Sequence, residues 1–294
     1  MNIIRNLALC ITLCLSILTT AAPAAAQSKT DADKSLDEGV AAHKAGRFEK
    51  ALILFAKACD DGDAKGCYNL GVLLYNGKGG AADAVQARTL YAKACDGGYT
   101  KGCFNLGQMW RQGEGGAADA VQARTLFAKA CDGGDTEGCY NLGVMWEQGE
   151  GGAADAVQAR KVYAQACDGG NAKGCNNLGA LLNEGQGGAA DAVQARSLFS
   201  KACAGGNAGG RTNLGGMVES GLGNGGVGNF VQARVYFSQA RTLAAKACDG
   251  GDANSCYRYG LMLQIGRGGA VEWERARTYL RQACTLGEKE ACKF

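Results

Sequence analysis

The sequence predicts an all-α fold, a solenoid of helix-turn-helix repeats about 36 residues long. The cysteines show the period, because two series of them recur 36 residues apart. A glycine-rich turn and a helix-start signal recur with the same period. A fixed period of this size is typical of repeats that stack and share one continuous core. The two cysteine series are Cys59, Cys95, Cys131, Cys167 and Cys203, and Cys67, Cys103, Cys139 and Cys175.

Each regular repeat predicts two helices. In the first repeat, Cys67, Leu70, Gly71 and Leu74 lie at helical spacing and indicate a helix over residues 63–75. The glycine-rich stretch 76–80 ends this helix. An Asp-x-x-Gln capping box then starts the second helix, which runs to the next cysteine. The boxes are Asp83 with Gln86, Asp119 with Gln122, Asp155 with Gln158 and Asp191 with Gln194.

Glycines recur in the middle of the first helices, at 71, 107, 143 and 179. Glycine in a helix interior costs about 1 kcal/mol relative to alanine. Its repetition predicts that the partner helix approaches closely at these positions.

The fifth repeat departs from the pattern. Its turn is longer over residues 221–229, and its second helix gains seven residues, about two helical turns, so its buried face keeps its direction. Asn229 and Gln232 form its capping box, and we expect this helix to protrude from the stack. The predicted segments are 35–62 (capping helix pair), 63–206 (four regular repeats), 207–251 (enlarged repeat) and 252–294 (last repeat and C-terminal cap).

The N-terminus predicts export. Arg5 precedes the apolar stretch Leu7–Thr19, and Ala24–Ala26 forms a small-residue cleavage site. Residues 1–26 are therefore interpreted as a signal peptide and 27–34 as a flexible N-terminus. We expect a periplasmic or secreted protein whose mature chain has no membrane span.

Cysteine spacing agrees with export. Twelve cysteines form six C-x7-C pairs, and in an oxidising compartment such pairs indicate disulfides. Zinc binding is the weaker alternative, because zinc ligands are usually spaced more closely and His43 is the only histidine. Cys203 has Arg211 at its partner position and stays unpaired. The pairs are Cys59 with Cys67, Cys95 with Cys103, Cys131 with Cys139, Cys167 with Cys175, Cys248 with Cys256, and Cys284 with Cys292.

Composition and motifs narrow the function. The 31 Lys and Arg nearly balance the 28 Asp and Glu, so no large basic field predicts nucleic-acid binding. The S-x-x-K, S-D-N, K-T-G, G-x-S-x-G and H-E-x-x-H signatures do not occur. We predict no cofactor or metal and name no catalytic residue.

The L-G pair at 70–71, the G-x-G-G turn, the second-helix alanines and the A-C-D-x-G-D segment resemble Sel-1-like repeats, relatives of the tetratricopeptide repeat. The C-x7-C pair in almost every unit is similar to the Helicobacter cysteine-rich protein family. This resemblance implies an all-α, right-handed superhelical solenoid with disulfides between repeats. It also implies a secreted peptide-binding protein, and members of that family are called penicillin-binding proteins or β-lactamases.

The candidate binding surface is the predicted concave face formed by the first helices. One asparagine per repeat follows this face, and such a row could pair with the main chain of an extended peptide. Alternatively, each asparagine holds neighbouring helices together. A second set varies between repeats, as a specificity surface would, although plain packing is the stronger interpretation of its aromatic members. The predicted partner is an extended peptide or envelope protein. The candidates are Asn69, Asn105, Asn141, Asn177 and Asn213, with Tyr68, Phe104, Tyr140, Gln108 and Arg111.

Overall fold

A computed structural model describes residues 24–223 and 228–294. The predicted signal peptide lies almost entirely in residues 1–23, outside the described residues. Within the described ranges the chain forms fourteen α-helices and no strand, which confirms the all-α prediction. No described helix is both long and apolar enough to cross a membrane.

The helices follow the repeat in pairs, numbered here in chain order. They are α1 (Ala24–Lys44), α2 (Phe48–Asp60), α3 (Ala64–Tyr75), α4 (Ala84–Asp96), α5 (Thr100–Gln112), α6 (Ala120–Asp132), α7 (Thr136–Gln148), α8 (Ala156–Asp168), α9 (Ala172–Glu184), α10 (Ala192–Ala204), α11 (Ala208–Ser220), α12 (Phe230–Asp249), α13 (Ala253–Gln264) and α14 (Trp273–Thr285). A 3-10 turn, Lys289–Lys293, follows.

The chain divides into two compact units, Met1–Gly102 and Cys103–Phe294. In the first unit, α1 packs on α2, α2 on α3 and α3 on α4. In the second unit, consecutive helices from α6 to α14 pack on one another in chain order. This sequential packing is the arrangement of a helical solenoid.

The helix starts agree with the predicted capping boxes. The side chain of Asp83 accepts a hydrogen bond from the backbone N–H of Gln86 at 2.8 Å. The other predicted boxes repeat this bond to the glutamine three residues on, and Asn229 accepts from Gln232 at 2.9 Å at the start of α12. Each bond satisfies a backbone donor that the helix itself cannot pair.

The mid-helix glycines lie where a second helix approaches, as predicted. A Cβ at Gly143 would come within 2.4 Å of the Tyr163 ring. At Gly107 it would come within 2.9 Å of the Phe127 ring. The first helices α3, α5, α7, α9 and α11 therefore each receive an aromatic ring from the second helix of their own repeat, whereas Gly260 of α13 faces Leu280.

Two expectations are corrected. Residues 27–34 are helical rather than flexible, because α1 begins at Ala24 and Ala32 is only 3% exposed. The long helix α12 does not protrude from its neighbours. Ala233 and Phe237 pack in one core cluster with α11, and Ala244 packs in another with α13, so one face of α12 is packed on its neighbours along the helix while the opposite face is exposed.

Candidate functional site

The predicted asparagine row lies on successive first helices. Asn69 is half-buried on α3, in the first unit. In the second unit, Asn105 is half-buried on α5, whereas Asn141 on α7 is only 9% exposed. The amide nitrogen of Asn141 donates to the carbonyl of Glu137, one turn earlier, at 2.9 Å. The row is therefore regular in sequence, but its members differ in burial.

Further along the second unit, the asparagines join one repeat to the next. Asn213 donates to the side-chain oxygen of Asn176 at 3.0 Å, and Asn176 donates to that of Asn177 at 3.1 Å. Asn177 donates to the hydroxyl of Tyr163 at 3.1 Å, and this hydroxyl donates to Glu147 at 2.6 Å. All four bonds run in one direction and end on a carboxylate. They favour the structural alternative for Asn177 and Asn213.

Burial raises the pKa of Tyr163, and its hydrogen bond to Glu147 raises it further. The phenol therefore stays protonated and keeps donating to Glu147. Burial also raises the pKa of Tyr140, with smaller contributions from Glu137 and Glu147 in the same direction. This part of the second unit is thus a partly buried polar surface.

The three predicted aromatic residues are half-buried and each contacts an aromatic ring of the second helix of its own repeat. In the second unit the ring of Phe104 lies 5.9 Å from that of Phe127, and Tyr140 lies 6.1 Å from Tyr163. In the first unit Tyr68 lies 5.7 Å from Tyr91. These centroid distances are typical of packed aromatic pairs. Packing holds the rings in place, and their outer parts stay accessible.

Gln108 and Arg111 follow on α5. Gln108 is half-buried. Arg111 makes two hydrogen bonds of 2.7 Å to Glu150, in the turn that follows α7. This bidentate pair occupies one edge of the planar guanidinium group. Arg111 therefore links two repeats, and a ligand carboxylate would have to displace Glu150 to reach that edge.

Six disulfides link the described part of the chain, as predicted. In five of them the Cα atoms lie 4.4–4.9 Å apart, and the paired cysteines are eight residues apart in sequence. Cys95 and Cys103 are disulfide-bonded as well. The five bridges with these Cα–Cα distances join Cys59 to Cys67, Cys131 to Cys139, Cys167 to Cys175, Cys248 to Cys256, and Cys284 to Cys292.

The last two bridges differ in their surroundings. Cys248 and Cys256 are fully buried, and their bridge joins the end of α12 to the start of α13. Cys284 is half-buried near the end of α14, whereas Cys292 is exposed in the 3-10 turn Lys289–Lys293. The bridge to Cys292 therefore fastens this short turn, the predicted C-terminal cap, to α14, and the bridge to Cys256 fastens one helix pair to the next.

Cys203 is free, as predicted. The guanidinium group of Arg211, at the partner position, donates to the carbonyl of Cys203 at 3.0 Å and to the side chain of Gln239 at 3.1 Å. The bond to Cys203 thus links α10 to α11 in place of the missing bridge, and the bond to Gln239 links α11 to α12.

A repeated arginine contact was not predicted from the sequence. Arg124 on α6 donates to the carbonyl of Met145 at 3.1 Å, in the last turn of α7. Arg160 on α8 makes the same contact with Leu181 on α9 at 2.9 Å. These carbonyls lie at helix ends, and each also accepts a backbone N–H of the following turn, from Glu150 and from Gln186 respectively. The Q-A-R tripeptide that recurs at the start of α4, α6, α8, α10 and α12 was the available signal.

Within the described part of the chain, no group of three or more His, Cys, Asp and Glu side chains could hold a metal ion. The ring of His43 lies 5.5 Å from that of Phe48, in an edge-to-face arrangement. The described surface offers hydrogen-bonding amides, aromatic edges and charges. This chemistry suits recognition of another chain.

Comparison with known proteins shows the family. The Sel1 repeat profile matches most of the chain, at residues 48–63, 64–99, 100–135, 136–171, 172–207, 210–252 and 253–288. The chain belongs to the Sel1 repeat family. The predicted resemblance to Sel-1-like repeats is therefore confirmed.

Individual relatives add detail. A 45-residue segment is 44% identical to "Putative beta-lactamase HcpE" of Helicobacter pylori strain J99. It covers 15% of this chain and 13% of that protein, so the chain matches only a small part of this relative. The match agrees with the predicted resemblance to the Helicobacter cysteine-rich proteins.

Two solved structures show the same fold. The chain is similar to a protective antigen of uropathogenic Escherichia coli, with 28% identity and a TM-score of 0.67, over 90% of this chain and 56% of that one. It is also similar to a Sel1 repeat protein of Oxalobacter formigenes, with 20% identity and a TM-score of 0.70, over 85% of this chain and 96% of that one.

Proposed function

We propose that this Sel1 repeat protein is an exported scaffold that binds an extended peptide or a protein segment. The binding surface is the first-helix face of the second unit, defined by Asn105, Gln108, Tyr140, Asn141 and the corresponding side chains of α9 and α11. One observation carries the proposal. The backbone repeats every 36 residues, whereas the side chains at equivalent positions change from aromatic to amide between α5, α7 and α9.

A varied surface on a constant framework suits recognition, because the framework need not reorganise on binding. The disulfides and interlocked rings hold the first helices in place before a ligand arrives. Binding to a preorganised surface loses less conformational entropy. The aromatic residues Phe104 and Tyr140 supply contact area, and the amides of Asn105 and Gln108 supply donors and acceptors for a peptide main chain.

The test uses an array of synthetic peptides, each about a dozen residues long, probed with purified, oxidised protein. The strongest binder is then titrated by fluorescence anisotropy. We expect saturable binding that weakens about tenfold in the double variant Asn105→Ala/Asn141→Ala, because each hydrogen bond contributes about 0.5–1.5 kcal/mol.

A matched control removes two amides from the same helices. Gln112→Ala/Gln148→Ala changes exposed side chains at the ends of α5 and α7, again one repeat apart. This control should bind like the parent. If no peptide binds saturably, the proposal is wrong. If the control and the asparagine variant lose the same affinity, the first-helix face is not the site.

Export is part of this proposal, because six structural disulfides favour an oxidising compartment. Cell fractionation followed by alkylation of free thiols tests it. An exported chain should expose a single reactive thiol, Cys203, after removal of the signal peptide.

β-Lactam hydrolysis is the alternative function, and it rests on the name of the Helicobacter relative. Turnover of nitrocefin by the purified oxidised protein, absent from a reduced control, would establish it. Absence of turnover together with saturable peptide binding would favour the scaffold.

A further inference from the structure

The enlarged repeat carries the Q-A-R tripeptide twice in α12, at 232–234 and at 239–241. Only one arginine can make the contact that Arg124 and Arg160 make with the next repeat. Arg124 donates not only to Met145 but also to the carbonyl of Ala153, 29 residues later in the chain, at 3.4 Å. Arg241 makes this second contact, since it donates to the carbonyl of Ala270, also 29 residues later, at 3.0 Å and pairs with Glu272. The seven-residue insertion therefore releases the first arginine, Arg234.

Arg234 is exposed, and no hydrogen bond or ion pair joins it to any residue that the structure describes. It lines a cleft of about 490 Å³ between the end of α11, the first half of α12 and the turn 265–269. The other side chains in this cleft are Glu219, Phe237, Ile265 and Arg267. The duplication of one tripeptide thus places an unpaired guanidinium group in a cleft.

Arg267 is the second guanidinium group of the cleft. It lies 4.4 Å from the centroid of the Phe237 ring, so the aromatic face holds it in position. Its ion pair with Glu219 is long, 3.6 Å, and both side chains are about 40% exposed. An exposed pair of this kind contributes little, and a ligand carboxylate could replace Glu219. The cleft therefore has two arginines and one weakly engaged carboxylate.

The walls of the cleft are also apolar. Ile265 is 62% exposed, and Phe237 forms the floor. Arg267 also lines an adjoining cavity of about 250 Å³ that contains Thr212, Asn213 and the half-exposed Leu222. Asn213 belongs to the asparagine row. Arg267 therefore lies between the cleft and the first-helix face.

We infer that this cleft binds an acidic side chain of an extended peptide that has an apolar residue next to the acid. The planar guanidinium groups of Arg234 and Arg267 match a carboxylate, and the exposed Ile265 contacts the apolar neighbour. Charge and apolar surface together favour an acidic peptide over a small free anion, which would leave the apolar wall unused. This inference rests on the proposed function, because it specifies the partner's chemistry at the far end of the same face.

Two fluorescein-labelled nonapeptides test the inference, one alternating Glu and Leu and the other alternating Gln and Leu. The full oxidised protein should bind the acidic peptide more tightly, and this preference should weaken as salt is raised. Arg234→Gln and Arg267→Gln should each weaken acidic-peptide binding about fivefold, as expected for one exposed charge pair. Neither change should affect the Gln peptide.

The matched control is Arg277→Gln, which removes an exposed arginine of α14 outside the cleft and makes the same change in net charge. It should bind the acidic peptide like the parent. Equal affinity for both peptides, or equal weakening by Arg277→Gln and Arg267→Gln, would overturn the inference while leaving the scaffold proposal in place. Failure of the acidic nonapeptide to bind would overturn this inference, and only failure across the whole peptide array would overturn the scaffold proposal.

Discussion

Two neighbouring glycines of α11 provide a stringent test of the packing. Gly215 and Gly216 lie in the same helix turn, but a Cβ at each would meet different surroundings. At Gly215 it would lie 2.7 Å from one ring carbon of Phe237 and 2.9 Å from the next. At Gly216 nothing lies within 4 Å. Alanine at the two positions should therefore have opposite effects on stability.

The magnitudes follow from two competing terms. Alanine gains about 1 kcal/mol of helix propensity over glycine at either position. At Gly215 the Phe237 ring would have to move, and it is 4% exposed with Arg267 against it. Overpacking of a buried site costs about 1–3 kcal/mol. We expect Gly216→Ala to stabilise by about 0.5–1 kcal/mol and Gly215→Ala to destabilise by about 1 kcal/mol.

Urea unfolding of the oxidised protein, followed by circular dichroism and by tryptophan fluorescence, measures both free energies of unfolding. Coincident transitions and an unchanged m-value would validate the comparison. Hydrogen exchange of the α11 amides gives a local measurement if the repeats unfold separately. A Gly215→Ala protein as stable as the parent, or a Gly216→Ala protein as destabilised as Gly215→Ala, would refute the close-approach explanation.

Two further predictions concern bonds between repeats. Arg211→Cys should form a seventh disulfide with Cys203 and stabilise the chain by about 2.5 kcal/mol. The mass of the unreduced variant should be two hydrogens lower than the mass calculated with this new pair reduced. A variant with one more free thiol than the parent would contradict the prediction. The raised pKa of Tyr163 means that its contribution to stability is fully present below about pH 10 and is lost as the pH rises further. The free energy of unfolding should therefore fall above about pH 10 more steeply for the parent than for Tyr163→Phe, and parallel curves would contradict this.

The sequence alone determined the repeat, the helix boundaries within the regular repeats and the disulfides. All three depend on residues close together in the chain. Asp83 caps a helix through an amide three residues away, and Cys131 bonds to Cys139 eight residues away. Such local contacts form in every copy of a repeat, so the period reveals them. Cys203 and its expected partner position, 211, are also eight residues apart. The arginine at 211 is therefore enough to show from the sequence that Cys203 lacks its partner.

Only the tertiary structure decided what the side chains on the first helices contact. The asparagine row is uniform in sequence, yet its members have different surroundings. Asn177 donates a hydrogen bond to Tyr163 and Asn213 donates one to Asn176, while Asn105 is half-buried. Those partners depend on which helix faces are opposed, and this is not encoded by any one repeat. Likewise, both arginines of the duplicated tripeptide follow the same two residues in sequence, and packing against the next repeat leaves Arg234 in the cleft and pairs Arg241.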